Sequence, residues 1–135
     1  MAILDTDLII SYFRKVRDAI SMINKLKENK TVLKTTVITV GELYKGAYLS
    51  TKVEENKQKI KEFLRNVKIL NLKTRDITEY ARISVTLSKK GEMIGYFDEL
   101  IGSMTLARNE TLITRNVRHY EKIPNLSFIN WEKIV

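Results

Sequence analysis

The sequence contains no cysteine, and this absence excludes several chemistries at once. Without thiols there is no disulfide, no thiolate metal site and no cysteine nucleophile, so a reducing compartment such as the cytoplasm fits. A single histidine also excludes the usual histidine-rich zinc sites. Any metal that the protein binds must therefore be held mainly by oxygen atoms.

Long apolar runs and chain-breaking residues are also scarce. No apolar stretch approaches the roughly 20 residues of a membrane span, and the N-terminus begins on a structured-looking segment rather than on a signal peptide. The 135 residues include one proline and five glycines, and 44% of them are hydrophobic. We therefore expect a soluble, cytoplasmic protein that folds as one domain over residues 1–135 and makes no contact with a membrane.

The charge is unbalanced toward basic residues. There are 24 Lys and Arg against 16 Asp and Glu, which gives a net charge of +8. This excess favours a polyanionic partner such as nucleic acid or an acidic protein. Lys-rich and Glu-rich surfaces of heat-adapted proteins have a similar composition without any ligand, so the charge alone leaves both interpretations open.

Short apolar runs alternate with longer amphipathic segments along the chain, which is typical of an α/β fold. Strands separated by helices favour a mainly parallel sheet. We therefore predict a central sheet of about four or five strands flanked by helices. The predicted strands are residues 1–4, 31–36, 67–70, 111–114 and, as an edge strand, 126–129.

Polar side chains follow two of the predicted strands. Asp5 ends the first strand, and Thr114 and Asn116 follow the fourth, so they should meet at the edge of the sheet where ligand sites form. Glu42 and Asp98 lie near the starts of helices whose first turns can point to the same edge. Such clustered carboxylates repel one another unless they take up protons or bind a divalent cation, and magnesium prefers this set of oxygen ligands.

Each acid taken singly also has a structural interpretation. Glu42 fits a capping box in a helix that starts at Thr39, Asp98 can cap its own helix, and Asp5 or Asp7 can cap the first helix. Only the conjunction of the acids favours a metal site.

The single histidine and three tyrosines leave similar alternatives open. His119 can act as a general base or contact phosphate, but a lone histidine on a short helix is more often solvated or hydrogen-bonded. Tyr44, Tyr48 and Tyr96 can stack on bases, although their helical spacing favours packing.

Four blocks of sequence share the order and the approximate spacing of a known family. They are residues 3–7 (ILDTD), 39–46 (TVGELYKG), 97–102 (FDELIG) and 112–120 (LITRNVRHY), and residues 123–126 (IPNL) and Trp131 follow them. Together they span essentially the whole chain. In these blocks the sequence resembles the PIN-domain ribonucleases, and in particular the VapC toxins of type II toxin–antitoxin pairs.

The resemblance implies a PIN-like single domain, often dimeric, with an acidic pocket that binds magnesium or manganese and hydrolyses RNA phosphodiesters. It also implies a cognate VapB-type antitoxin that inserts a C-terminal segment near the pocket. We therefore expect a magnesium-dependent endoribonuclease that acts as the toxin of a VapBC-type pair. The alternative is a catalytically silent PIN-fold domain that only binds RNA or antitoxin.

Individual positions follow the family pattern. Asp5, Glu42 and Asp98 match its metal-binding acids, and Thr6 and Thr114 match hydroxyls that help to shape the site.

The last block departs from that pattern. Many relatives have a fourth acid at the place of Asn116 or of His119, and this sequence has neither. We expect Asn116 to serve as a neutral catalytic residue there, with Arg115 and His119 as candidate phosphate contacts. The lower negative charge predicts one tightly bound metal rather than two.

Overall fold

The computed structural model describes residues 2–132 and has a five-stranded sheet at its centre. All four neighbouring pairs of strands are parallel, which confirms the predicted α/β architecture. The strands are β1 (Ala2–Leu4), β2 (Leu33–Thr36), β3 (Lys68–Leu70), β4 (Thr111–Thr114) and β5 (Ser127–Asn130). Their order in the sheet is β3-β2-β1-β4-β5, so β5 lies at an edge as predicted.

Helices connect the strands and cover both faces of the sheet. None of the helices in the described part of the chain is long and apolar enough to cross a membrane. Within residues 2–132 they are α1 (Thr6–Phe13), α2 (Arg17–Glu28), α3 (Val37–Leu49), α4 (Val53–Leu64), α5 (Thr74–Lys89), α6 (Tyr96–Ala107) and α7 (Val117–Tyr120).

The central strand divides the core into two layers. Ile3 and Leu4 are fully buried and point to opposite faces, because successive side chains of a strand alternate. Leu4 packs with residues of α1 to α4, including Ile9 and Ile23, whereas Ile3 packs with residues of α5 to α7, including Ile83. The apolar first strand therefore lies between two helical layers, and its polar continuation emerges at the edge of the sheet.

One helix begins earlier than the sequence predicts. The predicted start of α3 at Thr39 is wrong, because Thr36 at the end of β2 is already the cap and its Oγ1 accepts the N–H of Thr39 at 3.1 Å. The capping box is therefore excluded. Glu42 lies in the second turn of α3, where its carboxylate has no helix end to satisfy.

Gly102 allows close packing in the middle of α6. A Cβ atom built at this position would lie 2.5 Å from Cδ1 of Ile123 and 3.6 Å from the ring of Tyr120. A side chain at this position would therefore force Ile123 to move, so the glycine lets α6 pack closely against the segment that follows β4.

We expect the substitution Gly102→Val to lower the free energy of unfolding by about 2 kcal/mol, because the branched side chain overfills this contact. Urea denaturation measures the change. The matched control is Gly41→Val in α3, where nothing lies within 4 Å of the built Cβ. An equal cost in both variants would contradict the packing role of Gly102.

Candidate active site

A cleft of about 320 Å³ opens at the carboxyl ends of β1 and β4. Because β1 and β4 are neighbours, the residues that follow them meet there, and the starts of α3 and α6 add side chains from more distant parts of the sequence. All three acids predicted to bind metal line this cleft. Its lining residues are Asp5, Thr6, Asp7, Ile10, Arg14, Glu42, Asp98, Arg115 and Asn116.

Asp5 is a helix cap and a cleft residue at the same time. Its Oδ1 accepts the backbone N–H of Thr6 at 2.8 Å at the start of α1, and its Oδ2 accepts the hydroxyl of Thr114 at 2.7 Å. Burial, followed by the charge of Asp7 and more weakly that of Asp98, raises the pKa of Asp5 from 3.8 to about 7. The carboxylate of Asp5 therefore lacks compensating positive charge.

Glu42 is linked to the first helix by a hydroxyl. The Thr6 hydroxyl donates to Glu42 Oε1 at 2.7 Å, and the Thr39 hydroxyl lies 3.0 Å from that of Thr6. These contacts join the start of α1 to the first turns of α3. Of the two hydroxyls predicted to shape the site, Thr6 thus contacts Glu42, and Thr114 contacts both Asp5 and Asp7.

Asp98 is held by the segment that follows β4. Its Oδ2 accepts an N–H of the Asn116 amide at 3.1 Å and lies 2.7 Å from Nδ1 of His119, and its Oδ1 accepts the hydroxyl of Tyr120 at 3.2 Å. Burial and then the carboxylates of Asp5 and Asp98 raise the pKa of Tyr120, so that this hydroxyl stays protonated and donates. Asp98 does not cap α6, which begins after Gly95.

Asp7 brings a fourth carboxylate to the cleft. Its Oδ1 accepts the indole N–H of Trp131 at 2.8 Å, and its Oδ2 accepts the backbone N–H of Arg115 at 3.2 Å. Burial raises the pKa of Asp7 above its usual value. The sequence interpretation treated Asp7 only as a possible helix cap, although its position two residues after Asp5 places both acids at the same strand end.

The donor atoms of the cleft fit a hydrated divalent cation. Within residues 2–132, no group of three acidic or histidine side chains is arranged so that it could hold a metal ion directly. Burial and then the neighbouring carboxylates nevertheless raise the pKa of Asp5, so a cation would stabilise its charged form, and the carboxylate donors of the cleft are all oxygen atoms. Magnesium prefers such ligands and usually keeps several of its waters, so it does not require three direct carboxylate contacts.

The comparison with known proteins agrees with this geometry. The PIN domain family matches residues 2–125. Ribonuclease VapC2 of Rickettsia felis is 32% identical over 131 residues, which cover 96% of this chain and 97% of that protein. The chain belongs to the VapC family of PIN-domain proteins.

Solved structures of VapC proteins share the fold over nearly the whole chain. The crystal structure of VapBC2 from Rickettsia felis, bound to a DNA fragment from its promoter, matches with a TM-score of 0.90 and 29% identity, covering 97% of this chain and 98% of that one. The structure of VapBC-1 from nontypeable Haemophilus influenzae matches with a TM-score of 0.86 and 29% identity, covering 98% of each. The family resemblance seen in the sequence is confirmed.

The two candidate phosphate contacts of this VapC chain differ in their surroundings. His119 is turned toward Asp98, whereas Arg115 is exposed at the rim of the cleft, with its guanidinium 5.6 Å from the ring centre of Trp131. Arg14, at the end of α1, is a second basic residue at the rim that the sequence interpretation missed. In the sequence, the only indication that Arg14 lies at the cleft is its position one helical turn after Ile10.

The pKa of Asp5 predicts a pH-dependent effect on stability. Above pH 7 the charged Asp5 carboxylate is less stable in the folded protein than in the unfolded chain, which lowers the free energy of unfolding. As the pH falls from about 7 toward 3.8, the folded state takes up the proton first, and this destabilisation disappears. Since one pKa unit corresponds to about 1.4 kcal/mol, Asp5→Asn should raise the melting temperature by several degrees at about pH 8.

The gain should shrink steadily as the pH is lowered, and differential scanning fluorimetry over a pH series measures it. The exposed Glu121→Gln provides the matched control because it removes the same charge outside the cleft. A pH-independent gain, or a loss at all pH values, would be inconsistent with uncompensated charge at Asp5.

Proposed function

We propose that this chain is a magnesium-dependent endoribonuclease that hydrolyses RNA phosphodiester bonds and acts as the toxin of a VapBC-type toxin–antitoxin pair. The observation that carries the proposal is the meeting of Asp5, Glu42 and Asp98 in one cleft, where the pKa of Asp5 is raised to about 7. Relatives of the chain are named ribonucleases, and their sequences match it over nearly their whole length.

The acids of the cleft divide into two groups by their hydrogen bonds. Asp5, Glu42 and Asp98 would hold the metal, and magnesium or manganese, when bound, polarises water and neutralises the charge that develops on a phosphodiester. Asp7 has a different role, because its oxygens accept the N–H groups of Trp131 and Arg115 and so join the chain after β5 to the chain after β4. We propose that Asp7 positions the end of β4 and the chain after β5 against the cleft.

The remaining polar residues either hold an acid or face the substrate. Asn116, His119 and Tyr120 surround the carboxylate of Asp98 and fix its orientation. Arg14 and Arg115 lie at the rim, where their charges can bind the phosphates on either side of the bond to be cleaved. His119 is thus proposed as a positioning residue, and its predicted contact with phosphate stays a prediction.

The direct test of the proposed function is Asp98→Asn, which keeps the shape of the side chain and removes its charge. Cleavage of total RNA in magnesium should fall by more than about 100-fold, because the metal loses a charged ligand where negative charge develops. The exposed Glu121→Gln should cleave like the unmodified protein. EDTA should abolish cleavage by the unmodified protein, and added magnesium should restore it.

Full magnesium-dependent activity of Asp98→Asn would exclude the proposed metal site. RNA binding by the unmodified protein without any cleavage, at any magnesium or manganese concentration, would instead favour the catalytically silent domain.

A groove beside the cleft is the proposed site of the antitoxin. It has a volume of about 280 Å³, lies between α1, α3 and α4, and shares Ile10, Arg14 and Glu42 with the cleft. A peptide segment in this groove can therefore reach the acids directly and exclude RNA. The neighbouring solved structures are VapBC complexes, which supports a VapB-type partner.

A homodimer is the assembly that the family leads us to propose.

Gly46 offers a way to fill the groove without disturbing the core. It lines the groove, and nothing lies within 4 Å of a Cβ built there. We expect Gly46→Arg to abolish binding of the cognate antitoxin, measured by isothermal titration calorimetry, while RNA cleavage is retained. Gly41→Arg, on the same helix but outside both cavities, is the control. Unchanged inhibition of Gly46→Arg by the antitoxin would place the antitoxin elsewhere.

A further inference from the structure

A second charged cavity, of about 520 Å³, shares no lining residue with the cleft. Lys34 and Lys68 lie in β2 and β3, Glu110 directly precedes β4, and Lys73 and Arg75 follow the end of β3. We call this site the basic cavity. It is lined by Lys34, Lys68, Ile69, Leu70, Asn71, Lys73, Arg75, Ala107, Arg108, Asn109 and Glu110.

Two buried ion pairs form the walls of the basic cavity. Lys34 pairs with Glu110, and their side chains are only 13% and 4% exposed. Arg108 pairs with Asp76, whose side chain is fully buried, and Arg108 also donates to the backbone oxygen of Asn71 at 2.8 Å. These contacts tie β2 to the start of β4, and the start of α5 to the end of α6. The cavity is therefore a fixed feature of the fold.

The other basic side chains of the cavity are not paired with acidic side chains. Lys68, Lys73 and Arg75 are exposed, and within residues 2–132 none of them forms an ion pair. Like charges around one concavity repel one another and attract an anion from solution. The ligand that relieves this repulsion must carry several negative charges.

We infer that the basic cavity binds the phosphate backbone of RNA, as a second contact outside the active site, and this inference rests on the proposed ribonuclease function. The cleft itself has four acids, Asp5, Asp7, Glu42 and Asp98, against two arginines among its lining residues. With two arginines and one divalent cation against these four carboxylates, the cleft would have no net positive charge, so further affinity for RNA must come from basic residues elsewhere on the protein.

The position of the basic cavity restricts which RNA can reach it. The register of the sheet puts Lys68 level with Ile3, which is two residues before Asp5 and two strands away, so the two sites are roughly 12 Å apart along the backbone. A helical strand with one phosphate per about 3.4 Å needs roughly four nucleotides to span this distance. Long or folded RNA can therefore occupy both sites, whereas a very short oligonucleotide occupies only the cleft.

The test compares long and short RNA in a charge-reversed variant. Lys68→Glu, Lys73→Glu and Arg75→Glu are combined, and the control combines Arg17→Glu, Lys25→Glu and Lys30→Glu, which are exposed residues of α2 and the turn after it. Both triple variants lower the net charge from +8 by six units to +2. Circular dichroism and thermal melting verify that both variants fold.

The binding measurement uses unfractionated bacterial tRNA and proteins that also carry Asp98→Asn, so that the RNA stays intact. We expect the cavity variant to bind at least about tenfold more weakly than the control, with a salt dependence reduced by about two to three counterions. With Asp98 restored, cleavage of a two-nucleotide RNA should be the same in both variants, whereas kcat/KM for long RNA should fall only in the cavity variant.

Equal loss of tRNA binding in the two triple variants would overturn the inference, because net charge would then explain it. Loss of antitoxin binding with unchanged RNA binding would assign the cavity to an acidic protein segment and also overturn it. If the unmodified protein neither binds nor cleaves any RNA, the proposed function itself fails. If it cleaves RNA and both variants match it, only the cavity inference fails.

Discussion

Repulsion between carboxylates that the fold brings together is the constraint that governs the candidate active site. Asp5 and Asp7 are separated by a single residue, and the first turn of α6 brings Asp98 into the same cleft, so burial and mutual repulsion raise the pKa of Asp5. Thr6 and Thr114 supply hydrogen bonds to the acids, but they supply no positive charge. The repulsion between the carboxylates therefore favours the binding of a proton or a divalent cation in the cleft.

The order of the strands explains how three separate blocks of sequence reach one site, and α6, which precedes β4, brings the fourth. β1 lies between β2 and β4, so the residues after each of these strands emerge side by side. The helix after β2 then carries Glu42, and the residues after β4 carry Asn116 and His119 to Asp98. A strand at the centre of a parallel sheet thus supplies Asp5, while its two neighbours supply the partners, which is the usual place for a ligand site in this class of fold.

The sequence was sufficient for the parallel sheet and for the acids at the strand ends, because apolar periodicity and the polar residues that end it are local signals. It was insufficient where two nearby residues can each cap the same helix. Thr36 and Thr39 can each cap α3, and only the extended backbone at the end of β2 selects Thr36. Asp7 can cap α1 equally well, and its contact with Trp131 joins residues 124 positions apart. The direction of His119 likewise depends on where α6 places Asp98.

The basic cavity is a second feature that the sequence alone did not predict, because composition does not say where charges lie. A net charge of +8 indicates an excess of basic residues but not its location, and the pair Lys34 and Glu110 is separated by 76 positions in the sequence. Location matters because charges in salt at physiological strength are screened over about 8 Å. Basic residues roughly 12 Å away lie beyond this screening length, so they neutralise the acids of the cleft only weakly through solvent. Each site must therefore be compensated separately, by a proton or cation at the cleft and by an anion at the basic cavity.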